Sequence, residues 1–98
     1  MLVSLVSAGG CWRTPQMGGS EACMKAADAL WTAVNIKRSD FVDQSEAEIK
    51  HLKDVGEMPQ DAYDSLQAVI TTARDGQWPE ARKSLKKFIS GQRPGPRH

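Results

Sequence analysis

The 98-residue chain has little of what several common protein classes require. Its two cysteines, Cys11 and Cys23, are too few for a disulfide framework, and neither belongs to a CxxC pair. No apolar run approaches the roughly 18 residues that a membrane-spanning helix needs. Strand-forming residues are scarce and occur in no alternating run. The sequence therefore argues against a disulfide scaffold, a spanning helix and a β-sheet fold.

Residue patterns that carry chemistry are also scarce. The sequence contains no glycine-rich phosphate loop, no nucleophile elbow and no Cys/His cluster with metal-ligand spacing. His51 lies between Glu48 and Asp54, an arrangement that could serve a metal or a general base. Its apolar neighbours point it toward solvent, so an exposed charged face is the better interpretation. We therefore predict that the chain is not an enzyme and has no catalytic residue, metal site or cofactor.

Four helical segments follow from the spacing of apolar residues. Ser20 is a predicted N-cap for the first helix, and Ser39 is a possible cap for the second. Gly56 and Gly76 suit the left-handed position after a helix, and Pro79 suits the first turn of the fourth helix. Cys23 belongs to the first stripe, which favours a buried small hydrophobe over a nucleophile. The four apolar stripes are Cys23, Ala27, Leu30, Trp31 and Val34; Val42, Ser45, Ile49 and Leu52; Ala62, Leu66, Val69, Ile70 and Ala73; and Trp78, Ala81, Leu85, Phe88 and Ile89.

The predicted fold is all-α, a small up-and-down bundle of two helical hairpins. Sliding the chain by 36 residues places Leu30 on Leu66 and Ile49 on Leu85, as if the chain held two copies of one hairpin. A core this thin should be sensitive to cavities, so we expect Trp78→Ala to cost about 3 to 5 kcal/mol. The predicted core contains Leu30, Trp31, Val34, Ile49, Leu52, Leu66, Val69, Ile70, Trp78, Leu85 and Phe88.

The second hairpin carries a resemblance to known helical families. The stretch ARDGQWPEARKSLKKF resembles the turn of a tetratricopeptide repeat, with Gly76 as the turn glycine, Trp78 as the aromatic and Ala81 as the small residue between the helices. A longer stretch from Leu52 to Leu85 is similar to the C-terminal helical domain shared by steroid receptor RNA activator protein and the large outer-coat subunit of COPII vesicles. These resemblances imply helical packing and a tendency to bind other proteins.

The N-terminal residues resemble a lipoprotein signal. An apolar run from Leu2 to Ala8 is followed by Gly9, Gly10 and Cys11, which is similar to the lipobox of bacterial lipoproteins. The resemblance implies that Cys11 receives a lipid. Residues 1–19 then form a signal-like segment and tether, 20–90 a helical bundle and 91–98 a disordered basic tail. A frayed apolar N-terminus on a cytosolic protein remains the alternative.

The charges are unevenly distributed. Residues 39–64 contain eight acidic and two basic residues, whereas residues 74–98 contain seven basic and two acidic ones. A basic face of this kind can bind anionic headgroups, an acidic protein or nucleic acid, or it can pair with the chain's own acidic middle. Nucleic acid is the weakest candidate, because no exposed aromatic residue is expected between the basic ones. The predicted basic face consists of Arg82, Lys83, Lys86, Lys87, Arg93 and Arg97.

Two functions remain open on these observations. The first is a lipid-anchored protein of the bacterial cell envelope whose helical domain is a non-catalytic interaction module. The second is a cytosolic adaptor that uses its basic fourth helix to bind an acidic protein or nucleic acid.

Overall fold

The computed structural model describes residues 14–18 and 20–92. Four amphipathic helices make up most of this part of the chain. They are α1 (Glu21–Asn35), α2 (Ser39–Asp54), α3 (Gln60–Arg74) and α4 (Trp78–Ser90). The described residues contain no strand, so the predicted all-α fold is confirmed. None of the helices in this part of the chain is both long and apolar enough to cross a bilayer.

Helix ends follow local capping chemistry. The Ser20 hydroxyl accepts a hydrogen bond from the Cys23 amide at 3.2 Å, which confirms the predicted cap of α1. The predicted Ser39 cap is wrong, because Ser39 is the first residue of α2 and Arg38 takes the cap position without a side-chain hydrogen bond. Pro79 lies in the first turn of α4, where its missing amide proton costs no helical hydrogen bond.

All three connections between the helices begin with the same hydrogen-bonded turn. After α1, the Arg38 amide donates to the Ala33 carbonyl and the Lys37 amide to the Val34 carbonyl. This is the Schellman pattern, and it requires a left-handed residue after the helix. The residues in that position are Lys37, Gly56 and Gly76, with φ of 58°, 83° and 83°. The two glycines are those that the sequence predicts.

The core lies between two antiparallel hairpins. Helices α1 and α2 form the first hairpin and α3 and α4 the second; α2 also packs on α3, and α1 on α4, so the bundle closes on itself. Every predicted core residue is buried except Trp31 and Trp78, which are only partly buried and pack against the core from its edge. Small residues such as Ala27, Ala33 and Ala81 are fully buried, which lets the helix backbones approach closely.

The folded region extends beyond residues 20–90. Met17 has 1% of its surface exposed and belongs to the core. Its amide donates to the Gln92 side-chain oxygen at 2.8 Å, and the Gln92 side-chain nitrogen donates to the Pro15 and Phe88 carbonyls. Gln16 donates to the Gly91 carbonyl at 2.9 Å. The part of the expected tether that is described, residues 14–18, therefore packs on the bundle, as do the first two residues of the expected tail.

Candidate functional site

The exposed side of α4 divides its basic residues between two grooves. Arg82, Lys83 and Lys86 lie along the groove between α4 and α1, whereas Lys87 lines the groove between α4 and α3. At 100° per residue, Lys86, Lys83 and Lys87 lie about 40°, 100° and 140° around the helix from Arg82, so Lys87 is the cation farthest from the α1 side. Arg93 and Arg97, which complete the predicted basic face, lie outside the described residues, and so does the predicted lipidation site Cys11.

The groove between α1 and α4, called here the tryptophan groove, contains the two tryptophans that the sequence assigns to the core. Trp31 lines its wide central part, a cavity of about 560 Å³ shared with Pro79, Lys83 and Lys86. A smaller cavity of about 150 Å³ continues from Trp31 toward Ile89 at the C-terminal end of α4. Another of about 140 Å³ lies at the opposite end beside Trp78 and Lys37. Each part of the groove is therefore lined by at least one large apolar side chain together with charged ones.

Cations outnumber acids along this groove. Lys37, Arg82, Lys83 and Lys86 line it, against Asp28 and Glu80. None of those four cations forms an ion pair with another described residue. Unpaired cations beside an apolar surface attract anions that also carry an apolar group.

The basic and acidic halves of the chain meet at one place in the described residues. The Arg74 guanidinium, at the end of α3, lies 2.5 Å from an Asp43 carboxylate oxygen and 2.6 Å from a Glu46 carboxylate oxygen on α2. Hydrogen bonding to Arg74 holds the pKa of Glu46 below its ordinary value, and partial burial opposes that shift. The same two carboxylates raise the pKa of Arg74. The cations on α4 take no part in this network.

Cys23 and His51, the two residues considered for catalysis or metal binding, lie on different helices, one buried and one exposed. Cys23 is fully buried, and its sulfur lies 3.5 Å from the Glu57 carbonyl oxygen. His51 is exposed on α2, and no cluster of three potential metal ligands occurs among the described residues. The structure therefore brings together a basic and aromatic groove, and it places His51 and Cys23 in no cluster of potential metal ligands within the part of the chain that it describes.

Trp31 lines the groove, whereas the sequence predicts it as a core residue. Its place at the edge of the apolar stripe of α1 could have indicated this position. Cys23, Ala27, Leu30 and Val34 define the centre of the buried stripe of α1, and Trp31 lies about 80° to one side of it at 100° per residue. A large ring at the margin of a stripe reaches both core and solvent. A partly buried aromatic ring therefore borders the basic residues of α4, a neighbour that is not predicted from the sequence.

Comparison with protein-family models, curated proteins and solved structures finds no match to this chain. By its structure alone, the protein is a small all-α bundle, and one of its grooves is lined by cations and tryptophan.

Proposed function

We propose that the chain is a non-catalytic helical interaction module that binds an acidic protein through α4. The observation that carries this proposal is the set of cations Arg82, Lys83 and Lys86, which form no ion pair with a described residue and lie beside partly exposed Trp31. Cations attract an acidic partner and orient its approach, while an aromatic surface supplies contact area that can be removed from water. The resemblance of the second hairpin to protein-binding helical families points in the same direction.

A labelled acidic peptide tests this proposal by fluorescence anisotropy. Lys86→Glu reverses a charge in the groove, and we expect it to weaken binding by about tenfold at low salt, with a smaller effect at high salt. Lys50→Glu is the matched control, because Lys50 is an exposed cation on α2 away from the groove. Equal losses in the two variants would show that net charge alone governs binding and would contradict the proposal.

We propose that the module works at a membrane surface, anchored through a lipid on Cys11. The support is the run of small residues before Cys11 that resembles a lipobox. Thr14 is part of the packed region, and only Trp12 and Arg13 lie between it and Cys11. The three Cα-to-Cα steps from Cys11 to Thr14 span at most about 10 Å when the chain is extended. The bundle would then lie against the headgroups, closer than if residues 12–19 formed a flexible tether, which would reach about 15 Å.

Mass spectrometry of the full chain expressed in a bacterial host tests the anchor. We expect a diacyl or triacyl mass on an N-terminal Cys11 and membrane association, both lost in Cys11→Ala. An intact Met1 with an unmodified thiol in the soluble fraction would contradict the anchor and favour the cytosolic adaptor. The binding of an acidic partner through α4 is independent of this result.

A further inference from the structure

The tryptophan groove differs from a simple basic surface because a tryptophan ring lines it beside the cations. Lys83, Lys86 and Trp31 line the same central cavity, and Lys86 also borders the smaller cavity beside Ile89. A ligand that occupies the central cavity therefore meets both the Trp31 ring and these cations. Lys87, on the other side of α4, lines a groove with Val69 and Phe88 that contains no other cation and no tryptophan among the described residues.

We infer that the tryptophan groove binds a short acidic peptide segment with one large apolar side chain, which packs on Trp31 while the flanking carboxylates pair with Arg82, Lys83 and Lys86. This inference rests on the proposed function and names the chemistry of its partner. Charge complementarity selects the acidic flanks, because the groove's cations have no ion-pair partner among the described residues. The central cavity of about 560 Å³ has room for a phenyl or leucyl group.

The length of the groove limits the length of the segment. Helix α4 has 13 residues, and at 1.5 Å per residue it is about 20 Å long. An extended peptide covers that distance with about six residues. Two cations and no acid line the end beside Lys37, whereas one cation and one acid line the end beside Ile89. The positive charge is therefore greater toward the Lys37 end, which gives the groove a direction.

Two peptides separate the apolar contact from the charge attraction. The first has one central Phe with acidic residues on both sides, and the second has Ser in place of that Phe. We expect the Phe peptide to bind the full chain at least about tenfold more tightly than the Ser peptide, because only the Phe peptide removes apolar surface from water. Trp31→Gln should reduce this ratio to near one. Val55→Gln is the matched control, because Val55 is an apolar residue that is 56% exposed and lies outside the groove, and it should leave the ratio unchanged.

A spectroscopic measurement avoids dependence on the folding of Trp31→Gln. Trp12→Phe combined with Trp78→Phe leaves Trp31 as the single tryptophan, since the chain contains three. Binding of the Phe peptide should shift the Trp31 emission to shorter wavelength, and the Ser peptide should produce a much smaller shift. An emission spectrum that does not change on binding of the Phe peptide would overturn the inference.

The remaining outcomes separate the proposed function from the inference about its partner. If both peptides bind equally and both are weakened by Lys86→Glu, the apolar contact is wrong while the proposed function stands. If neither peptide binds, the proposed function and this inference fail together. An oligothymidylate or a phosphatidylglycerol vesicle that displaces the Phe peptide at lower concentration would overturn the assignment to a peptide and point to nucleic acid or to a membrane.

Discussion

Lys37 occupies a backbone conformation that glycine occupies at the other two interhelical turns. Its φ is 58°, compared with 83° for Gly56 and Gly76. A left-handed backbone costs a residue with a Cβ atom about 1 kcal/mol or more, and glycine avoids most of that cost. The turn forms because the Schellman hydrogen bonds and the packing of α1 on α2 outweigh this local cost.

The first prediction follows from that difference. Lys37→Gly should raise the free energy of unfolding by about 0.5 to 1 kcal/mol, since relief of left-handed strain exceeds the entropy that glycine adds to the unfolded chain. Gly76→Ala, the reciprocal change, should lower it by about 1 kcal/mol, because no atom crowds the new Cβ atom and the strain is confined to the backbone. Urea unfolding of both variants measures the effect. A loss of stability in Lys37→Gly would show that the Lys37 side chain contributes more than its backbone costs.

Trp78 gives a second prediction at the scale of the residue. Because its ring is only partly buried, Trp78→Ala removes less packing than truncation of a fully buried tryptophan would, and the expected cost falls below 3 to 5 kcal/mol, to about 2 kcal/mol. Leu85, with no exposed surface on the same helix, is the matched comparison. Leu85→Ala should cost at least as much despite its smaller side chain. Calorimetric or denaturant unfolding of the two variants decides the order.

At the scale of the helices, the sequence predictions that depend only on the spacing of apolar residues are confirmed. All four stripes are found on buried faces, because a 3.6-residue spacing of apolar residues has few other low-energy arrangements. The 36-residue repeat is different. The left-handed residues Lys37 and Gly76 are 39 residues apart, so the hairpin turns match at a different offset. The offsets of 36 and 39 residues differ by three residues, which is nearly one helical turn. An apolar stripe therefore matches almost as well at 36 as at 39, so the apolar pattern alone does not show the correct offset.

The N-terminal segment could not be predicted by the same reasoning. Residues 14–18 contain Pro15, Gly18 and a single large apolar residue, Met17, so they have no period to detect. Their position depends on long-range partners, namely the Gln92 side chain and the Gly91 carbonyl. The tryptophan groove escaped prediction for a related reason, since it forms only when α1 and α4, which are distant in sequence, pack side by side.

Gly91 supplies the third prediction, which concerns the docking of that segment. A Cβ atom at Gly91 would lie 2.5 Å from the Thr14 hydroxyl and 2.8 Å from the Thr14 Cβ atom, which is too close for either to remain in place. Gly91→Ala should therefore loosen the segment. Hydrogen exchange of the Met17 amide, which is bonded to Gln92, should accelerate at least about tenfold, while Ser90→Ala should have little effect. Unchanged exchange in Gly91→Ala would show that Thr14 does not approach Gly91 in solution.

At the scale of the whole molecule, few ion pairs join the basic C-terminal part of the chain to its acidic middle. Arg74 joins the acidic α2 to the end of α3, and it is the single described cation of the basic C-terminal part that pairs with the acidic middle. The cations of α4 form no ion pair within the part of the chain that the structure describes. A bundle of this size is held together by its core, so surface pairs of this kind contribute at most about 1 kcal/mol each.

The Arg74 network also predicts how stability depends on pH. Hydrogen bonding to Arg74 lowers the pKa of Glu46 in the folded chain, so folding favours the charged carboxylate. The resulting stabilisation is present above the ordinary Glu pKa of about 4.5 and is lost as the pH falls through the lower, folded value. The free energy of unfolding should therefore decrease from pH 6 to about pH 3. In Glu46→Gln that decrease should be smaller, whereas Glu48→Gln, an exposed neighbour with no ion pair to a described residue, should retain it. Denaturant unfolding across this range measures both, and an equal decrease in Glu46→Gln and the unmodified chain would mean that the contact with Arg74 adds nothing to folding.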